Sequence, residues 1–173
     1  MAFISRKSFD DGNRMNRPDI KLTPAQAWEK IKLYCAYQDR CHSEVKEKLY
    51  GFGLHRSDVE QQISRLIEEN YLNEERFAVS YASGHSRIKK WGKIKITQGL
   101  KQKGVSAYCI KKALQLIDED EYQLGLNKLA EQKWHLLRKE PVMKRRFKCR
   151  QFLLQRGFES TIIMETLKRI EQA

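Results

Sequence analysis

The sequence predicts an all-α protein, an elongated array of three tandem three-helix repeats with about nine helices, and three observations carry that expectation. The first is a seven-position pattern that recurs at an offset of about fifty residues, the mark of a repeat protein whose unit is one supersecondary element. Val45, Leu49, Gly53, Leu54, Val59, Ile63 and Leu66 return as Ile96, Leu100, Gly104, Val105, Ile110, Leu114 and Ile117. They return again as Cys149, Leu153, Gly157, Phe158, Ile163, Leu167 and Ile170. The second is the Gly at the centre of each copy, placed where a helix would stop in a left-handed cap. The third is the lack of any sustained apolar alternation, which with only three prolines argues against a sheet.

Each element follows in order. Residues 1–22 are polar, mixed in charge and weakly periodic, so a mobile or loosely packed segment is expected there. The first repeat, 23–72, opens with Thr23 as N-cap, Pro24 at N1 and Gln26 at N3, and Trp28, Ile31, Tyr34 and Cys35 follow at helical spacing. Val45 and Leu49 then share a helical face, and Gly53 at C′ pairs Leu49 with Leu54 across a Schellman turn. The run Ser57-Asp58-Val59-Glu60 has the form of a capping box for the next helix, whose stripe is Val59, Ile63 and Leu66. The second repeat, 73–119, opens at Asn73 with Glu74 and Glu75 on the positive end of the helix dipole, and Phe77, Tyr81 and His85 form the stripe. In the third repeat, 120–173, a helix is expected from about Glu121 to Arg138, with Leu126, Leu129, Ala130, Trp134 and Leu137 facing the core. Asp118-Glu119-Asp120-Glu121 reads as a solvated junction between repeats.

Composition excludes several classes. No apolar run reaches membrane-spanning length and the start lacks the apolar stretch of a signal peptide, so a cytoplasmic monomer without membrane association is expected. Among the four cysteines no CxxC pair exists, and Cys149 stands where the other copies have Val45 and Ile96. It reads as a small core residue, and neither a metal site nor a disulfide framework is expected. Cys35, Cys41 and His42 are close in sequence but lack ligand spacing, while His55, His85 and His135 are isolated. With no Walker motif, no HExxH and no carboxylate cluster except the junction Asp118-Glu119-Asp120-Glu121, the sequence predicts no catalytic residues, no cofactor and no enzyme.

Charge is the second informative feature. The formal net charge is +12, and it is unevenly spread. From Phe77 to Ile117 there is no Asp or Glu, yet Arg87, Lys89, Lys90, Lys93, Lys95, Lys101, Lys103, Lys111 and Lys112 all lie there. A second carboxylate-free stretch holds Lys144, Arg145, Arg146, Lys148, Arg150 and Arg156. Ordinary solvated helix faces would intersperse acidic residues for i, i+4 pairing, so an anionic partner surface is the better reading. Trp91 and Phe147, interleaved with the charges, are candidates for stacking on bases.

At this point the residues carry a family resemblance. Asn70-Tyr71-Leu72-Asn73-Glu74-Glu75-Arg76-Phe77-Ala78 resembles the Gly-Tyr-Leu-Asp-Asp-x-Arg-Phe-Ala signature of the RecX regulatory proteins, with Asn70 in place of the usual Gly. His42-Ser43-Glu44-Val45 through Leu49 resembles the family's first hairpin. Lys90-Trp91-Gly92-Lys93-Ile94 through Leu100, Lys103, Gly104 and Val105 resembles its Lys-x-Gly segment, with Trp91 intruding before Gly92. Arg150 to Phe158 resembles its Arg-x-Phe-Leu-x-x-Arg-Gly-Phe close, so the likeness runs over about residues 25 to 170.

The resemblance implies three tandem three-helix repeats and a non-enzymatic modulator that binds the RecA filament on DNA, mainly inhibiting its ATPase, recombinase and co-protease activity in DNA repair and recombination. Single-stranded DNA is expected to bind weakly and without sequence preference. The alternative reading is a helix-turn-helix protein acting on duplex DNA, since Leu100, Gly104, Val105, Ile110 and Ala113 fit that spacing. The bulky Leu before each turn argues against it, because close helix crossing there normally needs a small residue.

Overall fold

The computed structural model describes residues 21–172, and among them nine helices and no strand. The first three are α1 (Pro24–Tyr37), α2 (His42–Gly51) and α3 (Arg56–Glu68). The next three are α4 (Glu74–Arg87), α5 (Lys93–Gln102) and α6 (Ala107–Gln115). The last three are α7 (Glu119–Leu136), α8 (Val142–Gln155) and α9 (Ser160–Gln172). Helices pack within their own group of three, and α4 against α7 joins the second group to the third. The segment 1–22 read as loosely packed lies outside the described residues except for its last two. Of these, Leu22 is held: its N–H donates to the Phe52 carbonyl at 2.9 Å and its side chain packs on the first core.

The glycine caps form as their spacing requires. Gly53, Gly104 and Gly157 have φ of 80°, 77° and 85°. In the second group the Val105 N–H reaches the Leu100 carbonyl at 3.1 Å and the Gly104 N–H reaches Lys101 at 3.0 Å, the two bonds of a Schellman motif. Phe158 to Leu153 at 3.2 Å and Gly157 to Leu154 at 2.9 Å repeat them in the third. A further left-handed cap closes α3. Asn70 sits at φ 59° while the Tyr71 N–H bonds the Leu66 carbonyl at 2.8 Å, which is why Asn serves where Gly would.

At the helix starts, Thr23 and Gln26 make the reciprocal capping box, and Asn73 caps α4 by accepting from the Arg76 N–H at 2.9 Å. Two expectations need correction. Ser57 is not a cap: α3 starts one residue before it, with His55 as N-cap, and Glu60 pairs instead with Arg56 at 2.8 Å. The physical reason is turn length, because only His55 lies between Leu54, buried in the core, and the first helical residue, the place Ser106 holds as N-cap of α6. Likewise α7 begins before Glu121, and the acidic run is its cap and first turn: Asp118 accepts from the Glu121 N–H at 2.8 Å and three carboxylates follow on the positive end of the dipole.

Three cores result. Ile31, Val45, Leu49, Val59 and Leu66 centre the first; Ile96, Leu100, Ile110 and Ala113 the second; Leu126, Cys149, Leu153, Ile163 and Leu167 the third. Each fully buried Leu or Ile contributes about 1.5–3 kcal/mol. All four cysteines are buried and free. Burial pushes the Cys35 thiol up to about 11, so it is protonated at neutral pH.

The cores are joined by one recurring device. Cys41, N-cap of α2, is 1% exposed and packs in the second core, not the first. Gly92, N-cap of α5, stands at the equivalent position and is buried against the third group, its N–H donating to the Arg156 carbonyl at 2.8 Å while the Ile94 N–H donates to Gly157 at 3.1 Å. A Cβ on Gly92 would lie 2.1 Å from the Gly157 carbonyl carbon. The Lys93 N–H donates to the Tyr122 hydroxyl at 3.0 Å, which donates to Glu159 at 2.6 Å. The joint between the first and second groups is instead made of side chains. Ser43 donates to the Lys103 carbonyl at 3.0 Å, Lys103 pairs with Glu44, and Asp39 accepts from Arg76 and Ser80, each at 2.7 Å.

These contacts set three expected outcomes. In urea unfolding, Gly104→Ala should cost about 1 kcal/mol, since nothing lies within 4 Å and only the left-handed backbone is penalised. Gly92→Ala, at an ordinary φ of −75°, should cost about 3 kcal/mol or more because the collision is with backbone. The Asp39 carboxyl is partly desolvated, which alone would raise its pKa, but hydrogen bonds from Ser80 and Arg76 outweigh this and hold it below its ordinary 3.8. A depressed folded pKa means stability that is present above the unfolded value and lost as pH falls through the folded one. Asp39→Asn should therefore flatten the acid limb of a melting-temperature profile below about pH 4.

Candidate functional site

The cations singled out in the sequence fall into separate neighbourhoods. Arg87, Lys89 and Lys90 lie at the C-terminal end of α4, where positive charge complements the helix dipole. Lys93 and Lys101, from α5, rim with Lys111 a groove of about 450 Å³ whose floor includes Ile110 and Leu114. Lys95, Lys103 and Arg156 sit in the joints between groups. Lys144, Arg145, Arg146, Lys148 and Arg150 occupy α8 beside the exposed Met143 and Phe147.

Many of these charges have carboxylate partners that the carboxylate-free stretches did not disclose, because the partners come from other helices or, for Glu140, from the loop before α8. Arg87 meets Glu121 at 3.0 Å, Lys93 meets Glu119 at 2.6 Å, and Lys112 meets Glu75 at 2.7 Å. Lys103 pairs with Glu44, Lys148 with Glu140, and Arg146 with Glu171 at 3.5 Å. Others bind carbonyls: Arg156 donates to Lys89 at 3.0 Å, Arg145 to Trp134 at 3.0 Å and Lys95 to Gln155 at 3.3 Å. Among the described residues, Lys89, Lys90, Lys101, Lys144 and Arg150 of the predicted set have neither a carboxylate nor a carbonyl partner for their side chains. Exposed pairs of this kind are each worth about 0–1 kcal/mol, so pairing does not remove the long-range field of a chain carrying a net +12.

The aromatic side chains are similarly engaged. Trp91, expected as a stacking platform, is half-buried with the His85 ring 4.5 Å and the Lys95 ammonium 4.8 Å from its centroid. Arg65 covers Trp28 at 4.0 Å and Arg145 covers Trp134 at 4.1 Å, so all three tryptophans carry a cation of this chain. Phe147 remains 61% exposed.

Sequence reasoning missed the polar cluster where α4 meets α6. Glu74 accepts from the Ser106 N–H at 2.9 Å and its hydroxyl at 3.0 Å, tying the start of one helix to the cap of another. Its carboxyl is partly desolvated, yet those bonds hold it below the ordinary carboxylate range. Glu74 was legible only as a first-turn acid, since its partner lies more than thirty residues on. Cys35 and Cys41 pack in different cores, and the described residues hold no group of His, Cys, Asp or Glu arranged to bind a metal ion. No helix among them is long and apolar enough to cross a membrane.

Comparison with known proteins bears on this arrangement. A model described as RecX, second three-helix domain, matches residues 73–114, and one described as RecX, third three-helix domain, matches 119–167, together more than half of the chain. The regulatory protein RecX of Bacillus mycoides (strain KBAB4) is 24% identical over 160 residues, covering 92% of this chain and 58% of that protein. That of Clostridium tetani is 32% identical over 117 residues, 66% of this chain and 53% of that protein. The chain thus spans little more than half the length of these curated relatives. The crystal structure of RecX from Lactobacillus salivarius superposes with a TM-score of 0.78 at 23% identity, covering 87% of this chain and 97% of that one. A second crystal structure, of a regulatory protein RecX, gives 0.76 at 27% identity, covering 84% and 71%. On these matches and on the helical array they share with it, the chain belongs to the RecX family.

Proposed function

We propose that this chain is a cytoplasmic, non-enzymatic regulator that binds the RecA filament on DNA and restrains its ATPase, recombinase and co-protease activity. The observation that carries the reading is the surplus of cations left over after the internal pairs are made, Lys89 and Lys90 just after α4, Lys101 on α5, and Lys144 and Arg150 on α8. A helical array whose groups touch mainly their neighbours presents a long surface, and such a surface suits the groove of a helical filament, where acidic protein and DNA phosphates lie close together. Family membership supports the reading, since the curated relatives are called regulatory proteins. Binding one filament state better than another is sufficient to shift the population between growth and disassembly, so no catalytic group is required.

The direct test is the ATPase of RecA on single-stranded DNA with this protein titrated in. Inhibition that saturates supports the proposal. Absence of any effect, together with tight binding to one duplex sequence, would replace it with the helix-turn-helix alternative. Charge reversal separates surface from scaffold: Lys101→Glu, Lys144→Glu and Arg150→Glu together should weaken inhibition at least tenfold, with helicity and melting temperature nearly unchanged. Lys93→Glu and Arg145→Glu should in addition lower the melting temperature, because each breaks an internal contact. Binding to bare single-stranded DNA should fall steeply as salt rises and show no sequence preference, and a flat salt response in an anisotropy titration would count against phosphate contact.

A further inference from the structure

We propose that the side of the array formed by α4 is a groove that docks an acidic protein segment carrying apolar anchors; this rests on the filament-binding reading and says which chemistry of the partner the groove meets. Two clefts flank α4. One, of about 770 Å³, is walled by the end of α1 on one side and by α4 on the other; the second, of about 660 Å³, lies between α4 and α7. Both include Gly84 and Ile88, so they adjoin across the end of α4, and together their linings draw on all three helical groups; the pair together is the proposed docking groove.

The groove has exposed apolar side chains where a solvated surface would have polar ones. Tyr37 is 87% exposed, Ile88 79% and Leu124 67%, one from each group of three helices. Tyr37 and Ile88 are separated by the same offset that relates Val45 to Ile96, so the same position of successive repeats carries an exposed apolar side chain. Scattered surface hydrophobics need no explanation, but a row along one groove marks an interaction site.

The charge along the groove selects the partner. Its two carboxylates are already neutralised within the chain, Asp39 by Arg76 at 2.7 Å and Glu121 by Arg87 at 3.0 Å. The remainder is Lys89 in the first cleft and Lys90 and Lys128 in the second, a local excess of positive charge. Lys90 is held at φ 51°, a left-handed conformation that lysine seldom adopts, with its methylenes over Gly125. A nucleic acid would satisfy the lysines but leave Ile88 and Leu124 without a complement, since aliphatic side chains offer neither a π-face to a base nor a donor to a phosphate. A protein segment that alternates carboxylates with apolar side chains satisfies both.

The test compares the affinity of the full chain for RecA filaments on single-stranded DNA with its affinity for that DNA alone, by fluorescence anisotropy. Ile88→Ser with Leu124→Ser should weaken filament binding at least tenfold and leave binding to bare DNA within twofold. A second variant, Lys89→Ala with Lys128→Ala, should weaken filament binding to a similar extent and guards against a folding defect in the serine pair. Undiminished filament binding by both variants would overturn the groove while leaving the filament reading intact. Equal loss on filament and bare DNA by the serine pair would overturn it in favour of a nucleic-acid site. A parent protein that does not bind filaments at all would instead remove the filament reading, and the proposed occupant with it.

Discussion

The structure depends on burying the N-cap residue of each repeat's second helix inside the next repeat. An N-cap usually faces water and satisfies orphan helical N–H groups with its side chain. Here Cys41 and Gly92 make no side-chain cap at all, and each is buried in the following group instead. Their counterpart at the start of α8, Pro141, has no following group among the described residues and is exposed. The array is therefore a chain of sockets, each completed by its predecessor, which is the nearest-neighbour energetics expected of a repeat protein.

The two sockets use different chemistry, and stiffness follows from the difference. Between the second and third groups the exposed pairs Arg87–Glu121 and Lys93–Glu119 are accompanied by backbone-to-backbone bonds, possible because Gly92 has no Cβ to collide with Gly157. Such bonds are buried and little affected by salt. Between the first and second groups the contact relies on Asp39, Arg76, Glu44 and Lys103, partly exposed charges that salt and acid weaken. The second and third groups thus form a firm platform for most of the predicted cations, and the first is attached to it through a softer joint.

Much of this was legible in sequence, for a definable reason. Helical periodicity and the left-handed glycine cap are local codes, so the hairpins could be read position by position, including Cys149 as a core residue. Ser57 misled because it satisfies a local capping pattern, whereas the turn length set by Leu54 places the cap at His55. Aligning the repeats would have corrected it, since the equivalent of His55 is the true cap Ser106. The partners of the cations were not legible. Lys93 with Glu119, Lys103 with Glu44 and Arg87 with Glu121 are tertiary contacts, and a stretch without carboxylates says nothing about carboxylates brought to it by another helix. The same holds for Trp91, whose place between His85 and Lys95 depends on how α4 and α5 meet.

The central claim is that buried backbone contacts at the second socket fix the third group on the second. Amide hydrogen exchange at Gly92 and Ile94, followed by NMR at low and high salt, measures this most directly. The account predicts that both amides, though they lie at a helix start where N–H groups normally exchange fast, are protected as strongly as the interior of α5 and stay so in high salt. Exchange at the rate of an open loop would contradict it.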